Sequence, residues 1–300
     1  MVRLGVDFGG TKIEVAALGD DGRVLARRRA PNPGRYEDAV ATVAGLVAWA
    51  DAETGAAGAP VGVAMPGSLS PVDRRVRNAN STWLNGRPFD ADLQAALGRP
   101  VRAANDANCF ALSEASDGAG AGARVVFGVI IGTGCGGGVV VDGRLVGGAN
   151  GVAGEWGHTP LPWPTALELD PPPCWCGRTG CLETWISGTG LARDYQGPTG
   201  ERVAGEEIIT RLRAGEARAG QAFARYVDRL GRGLAVICDI LDPDVIVLGG
   251  GLSNVTEIYP AIGPAIAGRV FSDSFTTPVR AAAHGDSSGV RGAAWLWPAR

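Results

Sequence analysis

Three hundred residues with 45% hydrophobic and 20% charged side chains make a globular chain long enough for two lobes, and exclude a disordered or fibrous one. A net charge of −3, with Lys12 the only lysine, leaves no basic surface for nucleic acid, so a phosphate would have to be held by backbone loops. No apolar run reaches the ~20 residues of a membrane helix, and Arg3 and Asp7 inside the first apolar stretch rule out a signal peptide, so a cytoplasmic protein without membrane or nucleic-acid partners is expected.

The chain opens with a strand over 2–7, turns at Gly9-Gly10-Thr11 and continues as a strand over 13–18. Asp20-Asp21-Gly22 then turns it into a third strand over 23–30. Glycines at the first turn let backbone N–H groups approach a phosphate, and Thr11 adds a hydroxyl donor. Asp7 stands where a strand end can hold hydrated Mg²⁺. Taken alone, the segment reads equally well as an ordinary glycine hairpin. Residues 37–53 place Val40, Val43, Leu46, Val47 and Ala50 at spacings of three and four, the pattern of an amphipathic helix. Asn78-Ala-Asn80-Ser-Thr-Trp83 combines amides with an aromatic face, either a polyol-binding mixture or a solvated loop. After a strand over 101–103 comes Ala104-Asn105-Asp106-Ala107-Asn108. Asp106 reads as a general base for a substrate hydroxyl or as a helix N-cap, and the two are compatible if Asn105 does the capping.

The opening device then recurs. A strand over 125–131 runs into Gly132-Thr133-Gly134, a second strand follows over 136–141, and Asp142-Gly143 is a strong hairpin signal. This repetition points to a duplicated two-lobe architecture. Residues 160–173 are proline-rich and without period, an ordered surface loop. A helix over 221–241 ends before Asp242-Pro243, and a buried strand over 245–248 leads to Gly249-Gly250-Gly251. A last helix over 289–297 is expected to pack back on the first lobe. Strands alternating with helices indicate α/β layers. The lobes are expected at 1–117, with 289–300 returning to it, and at 118–288. Three glycine loops after apolar strands suit a triphosphate nucleotide, the first two for phosphates and the third for a nucleoside lying flat on the backbone. The bland alternative is that 47 glycines scatter such triplets by chance.

Six cysteines in such a chain are no disulfide framework. Cys109, Cys135 and Cys238 read as buried small side chains. Cys174-x-Cys176-x₄-Cys181 with His158 forms a Cys₃His set suited to tetrahedral zinc, all four positions filled and the metal therefore structural. Glu155 and Glu183 flank this knot, rigidly held carboxylates that suit sugar hydroxyls. His284 reads as a loop or cap residue.

Over its whole length the sequence resembles the ROK family (repressors, ORFs and sugar kinases), most of all its bacterial fructokinases. The resemblance is carried by Asp7-Phe-Gly-Gly-Thr-Lys12, Asn78-Ala-Asn-Ser-Thr-Trp-Leu-Asn-Gly86, Ala104-Asn-Asp-Ala-Asn-Cys109 and Gly154-Glu-Trp-Gly-His158. Cys174-x-Cys-Gly-x-x-Gly-Cys-x-Glu183 and the tail from His284 to Trp295 complete it. It implies an actin-like, hexokinase-type (ribonuclease H-like) α/β fold of two lobes with an ATP and sugar cleft between them, and a homodimer. The implied activity is ATP-dependent phosphorylation of a hexose at O6, with fructose favoured. Mannose or glucose as acceptor, or a non-catalytic sugar-sensing protein of the same fold, are the alternatives; an ATPase or phosphatase is disfavoured by the sugar-facing residues. The resemblance implies Asp106 as base, Asn80, Asn105, Glu155, His158 and Glu183 on sugar hydroxyls, and Gly67 approaching the sugar through its backbone. It assigns Asp7, Gly9, Gly10, Thr11, Lys12, Gly132, Thr133, Gly134, Gly249, Gly250 and Gly251 to Mg²⁺-ATP, and His158, Cys174, Cys176 and Cys181 to zinc. His158 would then touch sugar and metal through its two ring nitrogens. Family repressors carry a winged helix before the first phosphate loop, for which a loop beginning at Asp7 leaves no room. Cys135 replaces the aliphatic residue common after Gly-Thr-Gly.

Overall fold

The computed structural model describes residues 2–197 and 200–297. Its first elements form a meander of β1 (Arg3–Phe8), β2 (Lys12–Leu18) and β3 (Val24–Pro31), antiparallel and in register from Arg3 opposite Leu18 to Phe8 opposite Ile13. The helix α1 (Tyr36–Thr54) turns the chain back so that β4 (Val61–Met65) pairs parallel with β1. All five residues of β4 are buried, as a strand covered on both faces requires. A short ribbon of β5 (Ser68–Leu69) and β6 (Val76–Arg77) precedes α2 (Phe89–Leu97). The strand β7 (Val101–Asn105) pairs parallel with β4 and leads directly into α3 (Asp106–Asp117). The sheet order is therefore β3-β2-β1-β4-β7.

The same plan follows again. The strand β8 (Val125–Ile131) runs beside β9 (Cys135–Val141), which turns into β10 (Arg144–Leu145) through Asp142 and Gly143, both at positive φ (49° and 70°) as a tight primed turn demands. The short α4 (Glu183–Ile186), α5 (Gly188–Gln196), α6 (Gly205–Arg213) and the long α7 (Ala217–Leu241) then lead to β11 (Val245–Gly249), α8 (Ile258–Ala267) and β12 (Val279–Ala281). Both β8 and β12 pair parallel with β11, and the sheet order is β10-β9-β8-β11-β12. The helix α7 buries Phe223, Tyr226, Val227, Leu230 and Leu234 and starts at Ala217, four residues before the sequence expectation; Asp242 caps it in the left-handed conformation before Pro243. The last helix, α9 (Ser288–Trp295), packs on β1, β2, β4 and α3 through Val290, Ala293 and Ala294. It ends at Trp295, two residues short of the expected 289–297, and residues 298–300 of the returning segment lie outside the described residues.

The described chain divides into two compact units, residues 2–122, 138–153 and 283–297 in one, 123–137 and 154–282 in the other. Residues 138–153, assigned from sequence to the second lobe, group with the first. The reason is steric: the backbone at Gly138 lies against α3, where a Cβ would stand 2.7 Å from that of Ala111. The 160–173 connection is the expected surface stretch, anchored by two buried side chains, Leu161 and Glu168. No helix among the described residues is long and apolar enough to cross a membrane.

The core of the first unit gathers Leu4, Val6, Phe8 and Val15 of the sheet with Val43, Leu46 and Val47 of α1. Phe8 sits at its edge, in T-shaped contact with Phe89 (centroids 4.7 Å apart) and Trp83 (6.0 Å), while Tyr36 packs on Phe89 at 6.2 Å. Phe89 links Phe8 to Tyr36. Phe89→Ala is expected to cost about 3–5 kcal/mol in urea unfolding, and a loss below about 1 kcal/mol would show that the cluster is not a keystone of this unit.

Candidate active site and metal centre

Parallel pairing of β1, β4 and β7 brings their carboxyl ends to one edge of the first sheet: Asp7 lies opposite Ala64 and Met65 opposite Asn105. Ligands of open α/β sheets gather at such edges. Asp7, Gly67, Asn105 and Asp106 all belong to it. The Gly9–Lys12 turn has its carbonyls occupied by Asn32, whose Nδ2 donates to Gly9 (2.7 Å) and whose N–H donates to Thr11 (2.9 Å). Gly10, Thr11 and Lys12 are exposed. Asn32 is an anchor the sequence reading missed.

Asn105 caps α3, its Oδ1 accepting from the Ala107 N–H at 2.9 Å, and its Nδ2 donates to the Gly67 carbonyl at 3.0 Å. One amide thus fixes both the helix start and the Gly67 turn. Gly67 has φ of 72°, and a Cβ there would stand 2.4 Å from the Arg77 carbonyl oxygen, so the turn admits glycine alone. Asn80 is exposed on the following loop, which Asn85 holds through paired hydrogen bonds with Ala79 (2.9 and 3.0 Å). Asp106, exposed as a residue, opens α3 and accepts from the Ala107 N–H at 2.8 Å; desolvation of its carboxyl by the surrounding atoms raises it above the ordinary value in spite of that bond. Burial, then the charges of Asp106 and of buried Glu14, push Asp7 up to about 6. Glu14 itself is paired with Arg27 and Arg29 of β3. Two carboxylates crowded this way favour a proton or a cation.

In the second unit, β8 and β11 are parallel with Gly249 opposite Ile130, so Gly132-Thr133-Gly134 and Gly249-Gly250-Gly251 leave the same sheet edge. The first of these loops is tied to α5: Gly188 N–H donates to the Gly132 carbonyl (2.7 Å) and Thr189 Oγ1 to that of Thr133 (3.1 Å). Glu183 opens α4. Its Oε2 accepts from the Cys135 N–H at 2.9 Å, and its Oε1 from the Trp175 Nε1–H at 2.8 Å. Trp175, which the sequence reading passed over, is 66% exposed and stands edge-on to His158, ring centroids 5.0 Å apart. Glu155 is exposed at the head of the short turn Trp156–His158.

His158, Cys174, Cys176 and Cys181 offer four donor atoms within 4.8 Å of one another. Cys176 and Cys181 sulfurs are 3.6 Å apart, and Cys174 Sγ lies 3.7 Å from His158 Nδ1. A tetrahedron with Zn–S of about 2.3 Å has S···S edges of about 3.8 Å. The donor set therefore fits zinc. The Arg178 N–H draws the Cys176 thiol below its ordinary value, whereas burial pushes Cys181 up to about 12, a thiol that ionises at neutral pH only beside a cation. His284 lies outside this set, its Nε2 2.8 Å from Asp117. Cys109, Cys135 and Cys238 are buried and free.

The chain matches the ROK family over residues 3–300. It is 41% identical to the N-acetyl-D-glucosamine kinase of Pectobacterium atrosepticum over 298 residues, 97% of each chain. It is 42% identical to an N-acetylgalactosamine kinase of Shewanella sp. over 296 residues, 97% of this chain and 95% of the relative. Its fold, a ROK hexokinase-type α/β architecture, is similar to the ROK hexokinase of Thermus thermophilus, with a TM-score of 0.88 at 33% identity, covering 99% of this chain and 97% of that one. Fructose, favoured from the sequence, is not the sugar for which these relatives are named.

An Asp raised from 3.8 to about 6 keeps its proton in the folded state while the unfolded chain has lost it, so stability falls as pH rises through that window. Because Asp7 is partly open to solvent, Asp7→Asn is expected to gain about 1–2 kcal/mol over the parent at pH 8 in metal-free buffer, and nothing at pH 4. Urea unfolding at both pH values checks this; an equal difference at the two would contradict the assignment.

Proposed function

The chain belongs to the ROK family and is a sugar kinase that draws on ATP, and we propose that its acceptor is a 2-acetamido-2-deoxyhexose, N-acetylglucosamine before N-acetylgalactosamine, phosphorylated at O6. The observation that carries the acceptor is the 41–42% identity, spread over 97% of the chain, to relatives named for those two sugars. Asp106 takes the proton from the attacking hydroxyl, and desolvation of its carboxyl raises its basicity toward what a general base needs. Asn105 holds Asp106 at the start of α3 and fixes the Gly67 turn that approaches the sugar. Asn80, Asn105, Glu155, His158 and Glu183 hold the remaining sugar groups. The N–H groups of the Gly9–Thr11, Gly132–Gly134 and Gly249–Gly251 loops hold ATP, with Lys12 beside the first. Mg²⁺ arriving with the nucleotide neutralises phosphate charge, and Asp7 would hold its hydration shell. Zinc on His158, Cys174, Cys176 and Cys181 fixes the loop and has no open position for chemistry.

Turnover with ATP is compared on N-acetylglucosamine, N-acetylgalactosamine, fructose, mannose and glucose. A kcat/KM for N-acetylglucosamine at least about tenfold above fructose is expected, a difference of ~1.4 kcal/mol in transition-state binding; a preference for fructose overturns the acceptor. Asp106→Asn is expected to lose about 10²- to 10⁴-fold in kcat while sugar binding by calorimetry stays as in the parent. Parent-like turnover in that variant removes Asp106 from the role of base.

A further inference from the structure

Phosphoryl transfer leaves one buried charged cluster unexplained. Glu168, Arg229 and Arg232 are 5%, 3% and 2% exposed. Glu168 closes the short turn Ala166–Glu168 in the middle of the proline-rich connection, and the two arginines lie on α7. Its Oε1 accepts from Arg229 Nε (2.7 Å) and Arg232 Nη2 (2.7 Å), its Oε2 from Arg232 Nη1 (2.9 Å) and the Thr165 N–H (2.8 Å). Arg232 also donates to the carbonyls of Pro162 (3.0 Å) and Trp163 (2.8 Å), and Arg229 reaches on to Asp194 of α5 (2.8 Å). Arg232 Nε also lies 3.0 Å from Asp228, and Arg225 shares Asp194 at 2.7 Å, so the two buried guanidinium groups meet three carboxylates.

A buried ion pair is a poor way to gain stability, since apolar side chains of similar volume do as well or better. What it does supply is one geometry. The connection it holds has a metal donor at each end, His158 before it and Cys174 after it. Near those donors the connection is hydrogen-bonded to the segment carrying Cys181: Leu182 N–H to Thr159 (2.7 Å), Leu161 N–H to Gly180 (3.1 Å) and Gly180 N–H to Pro172 (2.8 Å). Between them, the stretch from Pro162 to Glu168 is tied to α7 by the arginines. Left unpinned, a connection of this length charges loop-closure entropy against bringing His158 to the three thiols.

We propose that Glu168, acting through Arg229 and Arg232, is a positioning residue that sets His158 against Cys174, Cys176 and Cys181, and through His158 sets sugar affinity without entering phosphoryl transfer. This rests on the metal and sugar assignments above. The test compares the parent with Glu168→Gln and with the double variant Glu168→Met/Arg232→Met, which removes the fixed hydrogen bonds while keeping an apolar-packed site. Zinc release to a chromogenic chelator is expected to be about tenfold faster in both, as for loss of a partner that orients a metal ligand. Sugar KM is expected to rise about tenfold, with kcat and the KM for ATP as in the parent. If the double variant unfolds at the parent's urea midpoint yet releases zinc faster, positioning is separated from stability. Parent-like zinc release and sugar KM in the double variant overturn the proposal and leave Glu168 a structural residue. A parent chain that binds no zinc on metal analysis overturns the metal assignment itself, and this proposal with it.

Discussion

A carboxylate at the buried end of a strand must find a proton, a donor or a cation, and this constraint organises the first unit. The parallel order β1-β4-β7 places Asp7 and Asp106 at the same sheet edge, and desolvation raises both. Their neighbours relieve this only in part: Lys12 and Arg29 pull Asp7 down, and the Ala107 N–H and Asn105 pull Asp106 down, without offsetting desolvation. Asn105 also caps α3 and holds the Gly67 carbonyl. Lys12 and Arg29 supply some positive charge to Asp7, yet burial and the neighbouring carboxylates outweigh it and its carboxyl stays raised. Two desolvated carboxylates at one edge are groups that a bound cation would relieve, as the proposed function requires.

In the second unit the equivalent constraint is fourfold donor proximity. Three thiols and an imidazole within 4.8 Å are awkward without a metal and well suited to one. The knot reaches the phosphate-loop edge through a single carboxylate: Glu183 accepts from Cys135, next after the Gly132–Gly134 loop, and from Trp175, between two of the thiols. Glu183 thereby links the strand after the Gly132–Gly134 loop to the cysteine-bearing segment by hydrogen bonds and not merely by adjacency in sequence.

Acceptor identity is where side-chain types say least. Carboxylates, amides and an imidazole serve fructose, glucose and a 2-acetamido sugar alike, and the difference lies in where each donor stands relative to one ring position. The sequence reading leaned to fructose on overall resemblance, and the identity to N-acetylglucosamine and N-acetylgalactosamine kinases moved the assignment. Nothing in residues 78–86 or 154–183 alone separates the two acceptors, because the polar groups are of the same kind.

The elements legible in the sequence are those whose cause is local. Glycine and aspartate at 142–143 demand a primed turn, apolar spacing of three and four makes α1 and α7 helices, Pro243 ends the latter, and Cys-x-Cys-x₄-Cys with one histidine anticipates the clustering of those four side chains. The repeated strand–glycine–strand device likewise exposed the duplicated plan. Tertiary structure alone decided the pairings between distant residues. Glu168 meets Arg229 and Arg232 across 61 and 64 residues, and Asn32 reaches Gly9 across 23. It also placed residues 138–153 with the first unit, through the close approach of Gly138 to α3. Periodicity and turn chemistry report which face of an element is buried. Which partner covers that face, and which buried charge answers which, is set by packing that no local pattern records.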